Sequence, residues 1–174
     1  MKKIVFALFC AAIFAVSAQA QTIKVSFRSA DDLKSVWPFA EKKFTKDPGV
    51  TEATVTLKKT SYTFEFESAT SIYLNSKFGL MFGGEAGNFM KLPAIKGKTL
   101  KSVSIKFGGK GGLGKLAVTD VKGNVVQGGN PASSPAIDHI HTWEVSGLKK
   151  GKPTCLTFTA DSVVKMKELE LIYE

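Results

Sequence analysis

Four stretches of this chain alternate apolar and polar residues with a period of two. In T-I-K-V-S-F-R-S, Ile23, Val25 and Phe27 share one side. In S-Y-T-F-E-F-E-S, Tyr62, Phe64 and Phe66 oppose Thr63, Glu65 and Glu67. Val103, Ile105 and Phe107 alternate with Ser and Lys, and Leu169, Leu171 and Tyr173 close the chain in the same way. Successive side chains of a strand point to opposite faces, so each stretch predicts a half-buried strand. Turn signals fall between them at Lys96-Gly97-Lys98, Lys122-Gly123-Asn124, Ser146-Gly147 and Lys149-Lys150-Gly151. Helix signals reduce to one turn over Asp31–Val36, capped by Ser29 or Asp31 and stopped near Pro38. Strands recurring every ~8–12 residues with almost no helix indicate an all-β, antiparallel sandwich or barrel. The stretch 30–52 reads as an irregular connection after the first strand.

The first twenty residues read as a secretory signal peptide. Lys2 and Lys3 precede an apolar run from Ile4 to Val16, and Ala18-Gln19-Ala20 is an A-x-A cleavage site. Phe9 before Cys10 argues against a lipoprotein anchor, which wants a small residue there. Cleavage leaves a single domain over 21–174 and lowers the net charge from +9 to +7. The expected location is secreted, periplasmic or cell-envelope, with no transmembrane segment, since no later run reaches the ~20 apolar residues of a span. Cys155 is then the lone cysteine, so packing rather than disulfides must hold the domain. No neighbouring base is evident to activate its thiol, which reads as a small strand residue.

Residues 107–116, F-G-G-K-G-G-L-G-K-L, satisfy G-x-G-x-x-G and part of a P-loop pattern. Both motifs hold phosphate at the N-terminus of a helix that follows the glycines. Here L-A-V-T-D-V-K-G-N reads as a strand and a hairpin, and Leu116 stands where a P-loop needs Ser or Thr. No nucleotide is expected, and the glycines read as an inter-strand loop.

From Asn88 onward the order N-F-M-K-L-P-A-I-K-G-K-T-L-K-S-V-S-I, a Gly-rich gap, L-A-V-T-D-V-K-G-N-V-V-Q-G-G, T-W-E-V-S-G-L and E-L-E-L-I-Y-E resembles a known module. It is similar to a secreted jelly-roll β-sandwich common in Bacteroidetes, of the galactose-binding-domain-like kind. W-P-F at 37–39 and Y-T-F-E-F at 62–66 are similar to the front half of the same proteins. The resemblance covers most of the mature chain and implies the fold. It implies function only loosely, because that superfamily includes carbohydrate-binding modules among many roles.

If consecutive strands reverse direction, the loops 83–88, 108–114, 128–138 and 161–165 emerge at one end. They are long and rich in Gly, Asn and Ser. The connections 94–99, 120–123 and 146–152 emerge at the other end, tight and full of lysine. Loops on a rigid sandwich are the usual recognition surface, which makes Glu85, Asn88, Asn130, Asp138 and Asp161 polar ligand candidates. A sugar also needs an apolar platform. Trp143 alternates in phase with Val145 and reads as core, whereas Trp37, beside Pro38, reads as an exposed platform or as a plug closing the sandwich.

His139 and His141 share a strand face, a spacing that zinc sites use, but no third ligand is evident and they read as rim residues. The acidic loop residues leave room for a structural calcium, although no D-x-D-x-D-G loop is present. There is no G-x-S-x-G, no H-E-x-x-H and no Ser/His/Asp set, and Glu65 with Glu67 reads as a solvated strand face. Lysines spread along the chain without interleaved aromatics, which excludes single-stranded nucleic acid as the expected partner. They fit attraction to anionic polysaccharide or the cell envelope, and plain solubility explains them as well. The sequence thus points to a non-catalytic, exported glycan-binding module. A structural or protein-interaction module of the envelope is the alternative.

Overall fold

The computed structural model describes residues 19–27, 52–67, 71–75, 77–109, 115–126 and 138–174. The expected signal peptide (save Gln19 and Ala20), the helical turn at 31–36, Trp37 and Asn130 lie outside them. The described residues are all-β, with no helix among them and so none long and apolar enough to cross a membrane.

The strands are β1 (Gln21–Ser26), β2 (Glu52–Leu57), β3 (Thr60–Glu67), β4 (Ser71–Asn75), β5 (Gly79–Gly84), β6 (Phe89–Leu92), β7 (Leu100–Phe107), β8 (Leu116–Asp120), β9 (Ile140–Glu144), β10 (Thr154–Phe158) and β11 (Ser162–Tyr173). One sheet runs β4-β5-β11-β7-β9, with β1 also on β11. The other runs β2-β3-β6-β10-β8. Every pairing is antiparallel, and neither sheet closes into a barrel. This is the architecture of a β-sandwich.

The long strand β11 organises the first sheet. Residues 162–166 pair with β5, while 168–173 pair with β1 along the same edge, and β7 lies on the other edge. A bulge between Met166 and Glu168 marks the handover, and the Lys167 carbonyl accepts the Phe27 N–H there. The alternating residues meet as expected in one buried cluster. Phe64, Phe66, Met90, Leu92, Val118, Leu156 and Phe158 come from one sheet. Ile23, Val25, Leu80, Val103, Ile105, Phe107, Trp143, Leu169 and Leu171 come from the other. Fully burying one such side chain contributes about 1.5–3 kcal/mol.

Four details depart from the sequence expectations. β2 begins at Glu52 and β4 is an additional strand. The return arm of the expected hairpin after Gly123 is, among the described residues, a single bridge, Thr119 to Val125, extended by the Val126 N–H on the Val118 carbonyl. The expected loop 161–165 shrinks, because β11 already starts at Ser162.

The direction of the strands separates two ends. At one lie 85–88, 108–109, 138–139 and 159–161, tied by the Gly87 N–H to the Phe158 carbonyl and the Asp138 N–H to the Phe107 carbonyl. At the other lie the two-residue 58–59 hairpin, 93–99, 120–124 and 146–153. There the Gly151 N–H meets the Lys98 carbonyl and Thr99 pairs with Glu174.

Candidate functional site

The long-loop end carries most of the ligand candidates read from the sequence. The Asn88 side-chain oxygen accepts the Glu85 N–H at 3.2 Å, and Asp161 Oδ1 accepts the Ala86 N–H at 3.2 Å. Lys115 Nζ donates to the Asp161 carbonyl at 2.8 Å. Glu85, Asn88 and Asp161 therefore come together, but Asn88 and Asp161 both turn oxygens onto the backbone of the 85–88 loop.

Asp138 stands apart from them, on the outer face of the β11 sheet. It adopts φ 65°, and its carboxylate lies 2.9 Å from Lys167 Nζ and 3.8 Å from Lys106 Nζ. Lys106 reaches Glu168 at 4.0 Å, and Lys24 reaches both Glu168 and Glu170 at 3.5 Å. Here acids and lysines neutralise one another.

The glycine stretch has a packing explanation. Gly108 is buried, and a Cβ there would sit 2.0 Å from the Phe78 carbonyl oxygen. The residues after the gap form strand β8, so the helix that both phosphate motifs require is replaced by a strand.

His139 and His141 share a face of β9 with their rings 6.5 Å apart, and His141 meets the edge of Trp143 at 4.6 Å. Burial, followed by repulsion from His139, holds His141 below its ordinary value. Among the described residues no group of three or more His, Cys, Asp or Glu is placed to hold a metal. Trp143 is core, only 1% exposed. Cys155 is buried in β10, and burial pushes its thiol up to about 11, which leaves it protonated and unreactive at neutral pH.

A groove opens elsewhere, across the outer side of the five-stranded sheet near the short-turn end. It encloses about 420 Å³. Ser61, Thr63 and Glu65 of β3 and Lys91 of β6 supply its polar wall. Tyr62, Pro93, Ala94 and Pro153 supply apolar surface. The register puts Glu65 opposite Lys91, and Lys91 Nζ lies 2.8 Å from both Glu65 oxygens. The lining is braced from behind: Gln21 Nε2 donates to the Tyr62 hydroxyl at 3.0 Å, and the Tyr173 hydroxyl donates to the Pro93 carbonyl. Burial raises Tyr173 well above the usual phenol range, so it stays a donor.

Sequence reasoning marks Glu65 only as a solvated residue and passes over its neighbours in the groove. The one local signal is the row of hydroxyl and carboxylate side chains on the outward side of S-Y-T-F-E. Comparison of the chain with protein-family models, with curated proteins and with solved structures found no match.

Proposed function

We propose that the protein is a non-catalytic glycan-binding module, a jelly-roll sandwich of the galactose-binding-like kind that a signal peptide directs to the cell envelope or beyond. The groove carries this reading. Its volume lies within the ~300–1,000 Å³ of small-ligand sites. Pro153 and Ala94 offer an apolar surface for the C–H face of a sugar ring, while Ser61, Thr63, Glu65 and Lys91 offer donors and acceptors for hydroxyls. The mutual grip of Glu65 and Lys91 fixes both groups before a ligand arrives, which lowers the ordering cost of binding. A glycosidase sets two carboxyls across a cleft, ~5–10 Å apart. The groove lining has one, Glu65, and Lys91 holds it.

A protein-interaction role draws on β9. It ends its sheet with no further strand beyond it among the described residues, and Ile140 is 59% exposed on it.

A glycan-array screen of the purified protein tests the first reading, with Glu65→Gln and Asp161→Ala as variants. Binding is expected to weaken about tenfold in Glu65→Gln, the loss of one charge-assisted hydrogen bond. Asp161→Ala should bind as well as the parent. Loss in Asp161→Ala alone would move the site to the long loops, and a folded protein that binds no glycan would favour the β9 reading.

A further inference from the structure

Lysines that are scattered along the chain are gathered by the fold. The hairpin between β2 and β3 carries Lys58 and Lys59. The turn after β6 carries Lys96 and Lys98, and the Gly151 N–H binds it to the turn bearing Lys149, Lys150 and Lys152. All of these connections lie at the short-turn end. Lys58, Lys59, Lys96, Lys149, Lys150 and Lys152 are exposed, and none has an ion-pair partner among the described residues. The acids here do little to offset them. Asp120 is occupied by its own turn, where it accepts the Lys122 and Asn124 N–H groups, and Glu174 faces Lys101 at 4.0 Å.

The 58–59 hairpin adds an independent sign. Leu57 pairs with Thr60, so the loop has two residues, and both take positive φ, 48° at Lys58 and 69° at Lys59. That is the conformation of a type I′ turn, for which Asn-Gly is the favoured pair. Lysine carries a Cβ that resists the left-handed region. An unfavourable residue pair held at a charged rim leads from strain to function.

These lysines border the groove. Ser61 follows Lys59 by two residues, Pro153 follows Lys152, and Ala94 leads into the turn of Lys96. We propose that the short-turn end docks an acidic polysaccharide, a chain bearing carboxylate or sulfate groups, with one segment in the groove and the rest crossing the lysines. This rests on the glycan reading of the groove. At physiological salt the field of each ammonium extends about 8 Å, so neighbouring turns act together on a polymer with repeated charge. Glu65, its charge offset by Lys91, accepts the free hydroxyls of a sugar ring, which the interior of a DNA backbone lacks. Base stacking needs exposed rings, whereas the groove's one aromatic, Tyr62, is half-buried and its hydroxyl is tied to Gln21.

The decisive variant is Lys58→Asn with Lys59→Gly, which removes two charges and gives the turn its favoured residues. Titration calorimetry would compare polygalacturonate, a sulfated polysaccharide, a neutral polysaccharide, a short single-stranded DNA, and phosphatidylcholine vesicles containing phosphatidylglycerol. The parent should bind an acidic polysaccharide in preference to the rest, and the two acidic chains tell carboxylate from sulfate recognition. The variant should melt about 2–5 °C higher and bind that chain about tenfold more weakly. Lys115→Asn, at the opposite end, should leave binding unchanged. Equal binding of the neutral chain, with no loss in the variant, would overturn the proposal and leave the glycan reading standing. Binding of no polysaccharide would overturn both. DNA or vesicles bound as tightly as the acidic chain would overturn the proposal in favour of an unselective polyanion surface.

Discussion

At the long-loop end, Asn88 and Asp161 turn side-chain oxygens onto the backbone N–H groups of residues 85 and 86. At the short-turn end, the hairpins close largely through their own backbone bonds, and Lys58, Lys59, Lys96, Lys149, Lys150 and Lys152 are left to solvent. The contrast follows from side-chain chemistry and not from length, since 85–88 and 159–161 are shorter than 93–99 and 146–153. Asn and Asp carry oxygens that accept backbone N–H groups left without strand partners, whereas a lysine ammonium can only donate. Asn88 and Asp161 are thus recruited first as structural ties. An exposed lysine has no backbone N–H to satisfy and remains free to meet something else. The end that looks least like a recognition surface in sequence has the groove and the unneutralised charge.

Glycine substitutions give the largest expected effects and sharpen the contrast. Gly108, at the long-loop end, is held against the Phe78 carbonyl, where a Cβ would sit at 2.0 Å. Gly97, at the short-turn end, has φ 76°, and a methyl group there would meet nothing within 4 Å. The first is a demand of packing, the second only of conformation. Gly108→Ala should cost about 3 kcal/mol, the upper range for overpacking a well-filled site. Gly97→Ala should cost about 1 kcal/mol, the strain of one left-handed residue. Urea unfolding measures both. Equal costs would mean that the two ends are packed alike.

Asp120 shows the same chemistry at the short-turn end, where its carboxylate ties a turn through the Lys122 and Asn124 N–H groups. The Asn124 side chain does most to hold its carboxyl below the ordinary value; desolvation opposes it, and the backbone N–H groups of Asn124 and Lys122 add to the lowering. A lowered folded value means that the unfolded chain takes up the proton first. The stabilisation is therefore present above the unfolded value and fades as the pH falls through the folded one. The parent should melt higher than Asp120→Asn at neutral pH, with the gap closing below about pH 5. A gap that does not change with pH would show that the charge is not what organises the turn.

The core was legible because alternation reports one buried face: Phe64, Phe66, Val103, Ile105 and Phe107 all point inward. The start of β11 was not legible. Val163 is 40% exposed beside buried Val164, and the bulge at Lys167 shifts the phase, so that the inward residues Met166 and Leu169 lie three apart rather than two. Period-two reading fails across such a step. The groove was illegible for a different reason. Its walls come from residues 61–65, 91–94 and 153, brought together by strand pairing, and no local spacing marks them. The lysine-rich turns were visible and their common end followed from strand parity, but loop length drew the functional weight to the other end.

β9 runs between the two ends, and the smallest effect is expected there. His139, His141 and Trp143 line one of its faces, and Trp143 Nε1 is buried without a hydrogen-bond partner among the described residues. Burial is the main reason that His141 titrates below 6.5, with repulsion from His139 adding to it. For a base with a lowered folded value, the unfolded chain again binds the proton first. Stability should decline as the pH drops below about 6.5 and level off once the folded value is passed. His141 is only partly buried, so solvent screens the effect and the slope should be shallow. An NMR titration of the imidazole protons should give His141 a midpoint below 6.5. His141→Gln should remove the corresponding slope in melting temperature. A midpoint at or above the ordinary value would mean that water reaches this face of β9 freely. The sandwich would then be open along that edge, and the protein-interaction reading of β9 would gain over the groove.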